Sequence, residues 1–162
     1  MSDTDDRYET FQDFVRVGSL TQVSDYLVRG EIDINKTIWP NSETPLEIAA
    51  EKGRDKIVPI LLSAGFSPDA GNTDPPLYCA AGEGFLGIVQ LLIEAGADVN
   101  IRSSDGLTPL MSAAAGGHLD VVRLLVESGA DVQFETEDEE TALSCAEMNQ
   151  HSQIVSYLNG QG

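Results

Sequence analysis

The chain has 162 residues, 41% of them hydrophobic and only 6% aromatic, with 27 Asp and Glu against 9 Lys and Arg and a formal net charge of −18. That length suits one domain or a short solenoid with enough chain to bury a core, and the scarcity of rings predicts a core of mainly Leu, Val, Ile and Ala. So few cations argue against a surface that grips nucleic-acid phosphates or an anionic membrane, since residues 103–162 hold Arg123 alone against ten Asp and Glu.

Taken in order, the chain falls into five units, beginning near residues 7, 42, 73, 106 and 139. In the first, residues 7–41, Phe11 opens a frame in which Gly18 follows seven residues later and Gly30 nineteen later, before Ile32-Asp33-Ile34-Asn35. The second, residues 42–72, opens with Thr44-Pro-Leu-Glu-Ile-Ala-Ala50. Gly53, the stripe Ile57-Val58-Pro59-Ile60-Leu61-Leu62 and Gly65 follow. The third, residues 73–105, repeats this as Pro75-Pro-Leu-Tyr-Cys-Ala-Ala81, Gly84, Ile88-Val89-Gln90-Leu91-Leu92 and Gly96. The fourth, residues 106–138, gives Thr108-Pro-Leu-Met-Ser-Ala-Ala114, Gly117, Val121-Val122-Arg123-Leu124-Leu125 and Gly129. The fifth, residues 139–162, keeps Thr141-Ala-Leu-Ser-Cys-Ala-Glu147 and has Gln150 in place of the first glycine. Leu46, Leu77, Leu110 and Leu143 are spaced by 31, 33 and 33 residues, a period that marks a repeat architecture.

Each unit predicts helix, tight turn, helix and loop. Thr44, Thr108 and Thr141 can cap the first helix, and Pro45 and Pro109 suit its first position, where a backbone N–H lacks a partner anyway. Glycines end both helices with a residue that tolerates positive φ. Paired alanines let helices approach, and neither short helix stands alone in water, so each must stack on its neighbours. Pro59 is expected to remove one hydrogen bond and bend the second helix of its unit. Asp13, Gln22 and Asp25 at one end, with Ser152 and Asn159 at the other, stand where other units are apolar. Such polar outer faces suit terminal caps, so the chain reads as one complete domain, 1–162.

Over roughly residues 8–159 this pattern resembles the ankyrin repeat family, most closely in Thr108-Pro-Leu…Gly117-His-Leu-Asp-Val-Val…Gly129-Ala-Asp-Val and in Gly96-Ala-Asp-Val-Asn100. The resemblance implies an all-α solenoid of about five stacked helix-turn-helix repeats with short β-hairpin finger loops. Four departures stand out. The family's His after Thr-Pro-Leu is replaced by Glu47, Tyr78, Met111 and Ser144, and Pro75 replaces a capping Thr. The Gly65–Pro75 loop is two residues short, predicting a stunted finger, and no Gly-Ala-Asp follows the last unit.

Several motifs suggest chemistry and are better read as structure. Gly82-Glu-Gly84-Phe-Leu-Gly87 matches a dinucleotide fingerprint. The equivalent windows in neighbouring units keep only the middle glycine, so that glycine is structural. Cys79 and Cys145 share one inward slot two units apart, too far for a disulfide, and fit small buried hydrophobes. His118 and His151, in different repeats, do not make a metal site. The run Asp131–Glu140 is the densest acidic cluster and lacks the spacing of a calcium loop, so it reads as a solvated finger. Asn35 and Asn100 hold a finger position that asparaginyl hydroxylases modify in some ankyrin proteins, and read first as hydrogen-bonded turn residues. No apolar run is long enough to cross a bilayer, and Met1–Asp6 is acidic and polar, unlike a secretion signal. With two cysteines, a cytoplasmic, reducing compartment is expected.

The resemblance implies a non-enzymatic, monomeric protein-binding module, an adaptor or inhibitor without a cofactor or metal. Its partner would lie on the concave side formed by finger tips and the first helices. Carried over residue by residue, that surface comprises Trp39, Asn41, Glu43, Glu51 and Lys52, then Asp74, Tyr78 and Glu83. Ser104, Asp105, Leu107, Met111 and Ala115 follow, then Glu137, Asp138, Glu140, Ser144 and Met148. Trp39, Tyr78, Leu107 and Met111 would be apolar anchors inside a carboxylate rim that steers a basic protein, the competing reading of Trp39 being that it packs against the neighbouring finger. The alternative is an acidic mimic of nucleic acid that inhibits a DNA- or RNA-binding protein, which would need carboxylates in parallel rows. An enzyme has no motif beyond the Gly82–Gly87 decoy.

Overall fold

The computed structural model describes residues 3–34, 39, 42–71 and 74–161. Asn35 and Asn41 lie outside them. Among the described residues there are ten helices and no strand: α1 (Asp3–Val17), α2 (Leu20–Val28), α3 (Pro45–Glu51), α4 (Val58–Ala64), α5 (Pro76–Gly82), α6 (Leu86–Glu94), α7 (Pro109–Gly116), α8 (Leu119–Glu127), α9 (Ala142–Met148) and α10 (Ser152–Asn159). Each odd helix packs on the even helix that follows it. The odd helices also pack in sequence as one layer, and α4, α6, α8 and α10 as a second, which makes an all-α solenoid. None of these helices is long and apolar enough to cross a membrane.

Local chemistry accounts for the helix starts. Thr44, Thr108 and Thr141 accept the backbone N–H of Glu47 (3.1 Å), Met111 (3.3 Å) and Ser144 (3.1 Å), while Pro75 offers α5 no side-chain cap. Gly53, Gly84 and Gly117 all have positive φ, and Gln150 adopts the same conformation (φ 62°) without being glycine. The turns are locked to the preceding pair. His118 Nε2 lies 2.9 Å from the Gly82 carbonyl oxygen and His151 Nε2 3.0 Å from that of Ala115. Arg54 donates from Nε (3.0 Å) and Nη2 to the Arg16 carbonyl at the same place in its own unit.

The core runs along the middle of the stack. Leu46, Leu77 and Leu110, the alanines 49, 50, 80, 81, 113 and 114, and Val58, Leu61, Val89, Leu92, Val122 and Leu125 are buried. Phe11 fills the leucine slot of the first unit. Asp13, Gln22, Asp25, Ser152 and Asn159 are exposed.

Two expectations change, and the β-hairpin form of the fingers is not confirmed. The last two fingers are tight turns without an assigned strand: Gly106 N–H donates to the Ser103 carbonyl (3.0 Å) and Ser103 N–H to the Leu107 carbonyl (2.9 Å), and Thr136 and Glu140 repeat the arrangement. Pro59 does not bend a helix. The segment from Arg54 to Ile57 is held in turns, α4 begins only at Val58, and Pro59 occupies the first turn, where its missing N–H costs nothing. The core is also less purely aliphatic than composition suggests. Six of the ten aromatic residues gather in α1–α4 and their loops, with Trp39 5.2 Å from Tyr8, 6.4 Å from Phe11 and 5.9 Å from Phe66 between ring centroids.

Candidate functional site

Two of the expected anchors are not on the surface. Trp39 is 3% exposed and stands among Tyr8, Phe11 and Phe66 as part of the core. Met111 is 1% exposed, because its side chain folds back over its own helix start, with Sδ 3.5 Å from the Thr108 nitrogen. Glu47 and Ser144 do the same, accepting the N–H of Thr44 and of Thr141 (2.9 Å). Tyr78 is the exception. The residue that caps its helix is Pro75, which has no N–H to receive a returning side chain, and Tyr78 remains half-buried in one groove with Ser112 of the next first helix.

Tyr78 lines a groove of about 330 Å³ with Glu43, Glu47, Glu51, Asp74, Cys79, Gly82, Glu83 and Ser112. Five expected contact residues therefore meet: Glu43, Glu51, Asp74, Tyr78 and Glu83. Three of the groove's carboxylates have work within the fold. Arg16 pairs with Glu43 at 3.1 Å, Lys52 pairs with Glu51 at 2.6 Å, and Glu47 caps α3 and also accepts the Asp74 N–H at 3.2 Å. Asp74 and Glu83 form no ion pair among the described residues, and from Ile57 to Ile101 there is no Lys or Arg. The groove is therefore electronegative, and its titratable groups register it. Burial pushes the Tyr78 phenol up from its ordinary value, the Ser112 side chain opposes this, and Asp74 and Asp105 add to the rise. Burial, with Asp74, Glu47 and Glu51, pushes the Cys79 thiol up to about 12.

A second cleft, about 340 Å³, separates the last two fingers and is lined by Arg102, Ser104, Asp105, Gly106, Phe134, Glu135, Thr136, Glu137 and Asp138. It gathers four more of the expected residues, Ser104, Asp105, Glu137 and Asp138. Leu107 is half-buried against the core, Glu140 half-buried at its turn and Met148 65% exposed, and none of them lines either cleft. Glu47, Cys79, Gly82 and Ser112 are the groove residues that slot-by-slot reading missed. The Thr44…Glu47 capping-box spacing was the available signal for the first.

The decoys resolve as structure. Gly82–Gly87 begins at the end of α5, a helix where a dinucleotide site needs a strand, and the Gly82 carbonyl meets His118. Cys145 is buried and Cys79 half-buried, and both are free thiols. Among the described residues no His, Cys, Asp or Glu group has metal-binding geometry. Asn100 is a bridging turn residue, donating from Nδ2 to the Gly129 carbonyl (3.3 Å) and accepting the Asp131 N–H (2.8 Å).

Similarity to known proteins agrees with this architecture. Three copies of the ankyrin repeat match residues 77–162. An ankyrin repeat-containing protein of Schizosaccharomyces pombe is 38% identical over 64 residues, 38% of this chain and 31% of that protein. Ankyrin repeat and SOCS box protein 5 of Oryctolagus cuniculus is 38% identical over 86 residues, 52% of this chain and 26% of that protein. A glycerophosphocholine phosphodiesterase of Candida albicans is 37% identical over 99 residues, 59% of this chain but 8% of that protein. The chain thus spans less than a third of the length of each of these relatives. Ankyrin repeats are protein–protein interaction modules and typically do no catalysis. With the repeat matched over more than half its length and its helix pairs stacked through Arg54, His118 and His151, the chain belongs to the ankyrin repeat family.

Proposed function

We propose that this chain is a binding module, an adaptor or inhibitor, that takes a basic segment of a partner protein along the face of its first helices and fingers. The observation that carries the reading is the Tyr78 groove: an aromatic ring and a hydroxyl flanked by Asp74 and Glu83, in a stretch without a cation. A ring edged by carboxylates accepts an Arg or Lys side chain, the stem against the ring and the charge against the acids. The long-range field of a chain with net charge −18 would speed the encounter. Trp39 and Met111, being core residues, take no part, and the acids of the second cleft would form a rim.

The test is selection of a displayed random peptide library on the full chain. Enriched peptides should carry Arg or Lys beside an apolar residue and should lose binding to an Asp74→Lys/Glu83→Lys variant of unchanged circular dichroism. Peptides that bind this variant as well as the parent would sink the groove as the contact site.

A further inference from the structure

We infer that the stack is jointed between its second and third helix pairs, so that α1–α4 opens as one body from α5–α10. The boundary differs from the others at its turn edge. Elsewhere the residue eight places after the leucine slot reaches back to a main-chain carbonyl: Arg54 to Arg16, His118 to Gly82 and His151 to Ala115. At the second-to-third boundary that residue is Phe85. Its ring lies over Gly53, with Cζ 2.7 Å from where a Cβ would stand, and the Glu51 carbonyl, which holds the equivalent place, has no polar side chain from this slot to meet it.

Three further irregularities fall at the same boundary. The helices α2, α6, α8 and α10 begin nine residues after the leucine slot, but α4 begins twelve after it. Among α3, α5, α7 and α9, only α5 starts without a side-chain cap. The connection from Gly65 to Pro75 is two residues shorter than Gly96–Thr108 and Gly129–Thr141. Among the described residues the hydrogen bonds that cross, from Asp74 N–H to Glu47 (3.2 Å) and from Asp98 N–H to Asp69 (3.0 Å), sit at the finger edge. Rings also lie over Gly84 and Gly117, but those rings are histidines that bond a carbonyl as well. A boundary bonded along one edge, and without that side-chain bond along the other, has the geometry of a hinge. Local opening follows such uneven bonding, because stability in a stacked array is set boundary by boundary. On the function proposed above, a partner in the groove would bridge the hinge, since Glu43, Glu47 and Glu51 lie on one side and Asp74, Tyr78 and Glu83 on the other.

The chain carries its own reporter, which needs no partner. Trp39 is its single tryptophan and is buried in the first body, so its fluorescence follows α1–α4, while far-ultraviolet circular dichroism follows all the helices. In a urea titration of the full chain the Trp39 signal should be lost before the helical signal. Native hydrogen exchange in α1–α4 should be about tenfold or more faster than in α5–α8. Phe85→His, which restores the side-chain bond, should draw the two transitions together, and Phe85→Leu should leave them apart. Coincident transitions with uniform exchange in the parent chain overturn the joint, as does first opening at α9–α10 with α1–α4 protected. Both readouts are taken on the parent chain, so neither depends on a variant folding or on the groove binding anything.

Discussion

Around Trp39 the rings of Tyr8, Phe11 and Phe66 fill the space between helices, whereas around Leu110 buried alanines bring the helices close and little more is needed. Large rings accommodate an irregular backbone, because one ring spans gaps that would need several aliphatic groups. Small residues demand regular spacing, because any shift leaves a void. The family match begins at Leu77, whereas the folded core continues without a break through Phe11 and Val15.

The largest test removes the ring on which the first two pairs depend. Trp39→Ala should cost ~3–5 kcal/mol in urea unfolding, as truncation of a buried aromatic does, and the loss should fall on α1–α4. A cost below about 1 kcal/mol would mean that rings do not hold these pairs. Next is the buried Glu47, which ties α3 to α5 through Thr44 and Asp74. Glu47→Ala should cost about 1–3 kcal/mol, since backbone N–H groups lose their acceptor; a neutral result would remove it from the boundary.

These two residues also show how much was legible beforehand. The repeat frame, the Thr caps, the glycine turns and the polar ends could all be read because each recurs at a fixed spacing. Trp39 could not, because it sits in a finger outside the helical frame, where slot-by-slot comparison has nothing to compare. Met111 and Tyr78 share a slot and part company for a reason one residue type supplies: Thr108 has an N–H to receive a returning side chain and Pro75 has none. The groove was legible in about half of its lining, namely Glu43, Glu51, Asp74, Tyr78 and Glu83. Glu47 carried only its capping-box spacing, and Ser112 required knowing which helix faces which.

A smaller effect sharpens the contrast at the other end. Gln150 holds the left-handed turn that glycine holds elsewhere, so Gln150→Gly should stabilise the chain by about 1 kcal/mol, seen as a higher melting temperature. No gain would mean that the Gln150 side chain compensates for its backbone.

The smallest effect is a pH dependence. The Cys79 thiol is held up to about 12, while an unfolded thiol titrates near its model value of 9.0. Above that value the unfolded chain loses a proton that the folded chain keeps. Cys79 therefore adds stability that is fully present below pH 9.0 and is lost as pH rises towards about 12. Cys79→Ala should flatten that alkaline slope, and the native thiol should react slowly with a disulfide reagent near neutrality. Fast labelling of the folded chain would show that the groove opens more readily than its bonding implies.

The last two fingers have one more property, and the solvent controls it. Asp105 on one faces Glu135, Glu137 and Asp138 on the other across an open cleft, with Arg102 engaged over the Phe134 ring. Like charges so placed act as a spring compressed by the stack. Its stiffness is set by ionic strength, since charges are screened over about 8 Å in physiological salt but roughly 30 Å in dilute buffer. The spacing of these fingers is therefore expected to respond to the solvent without any change in sequence, wider in dilute buffer and narrower in salt.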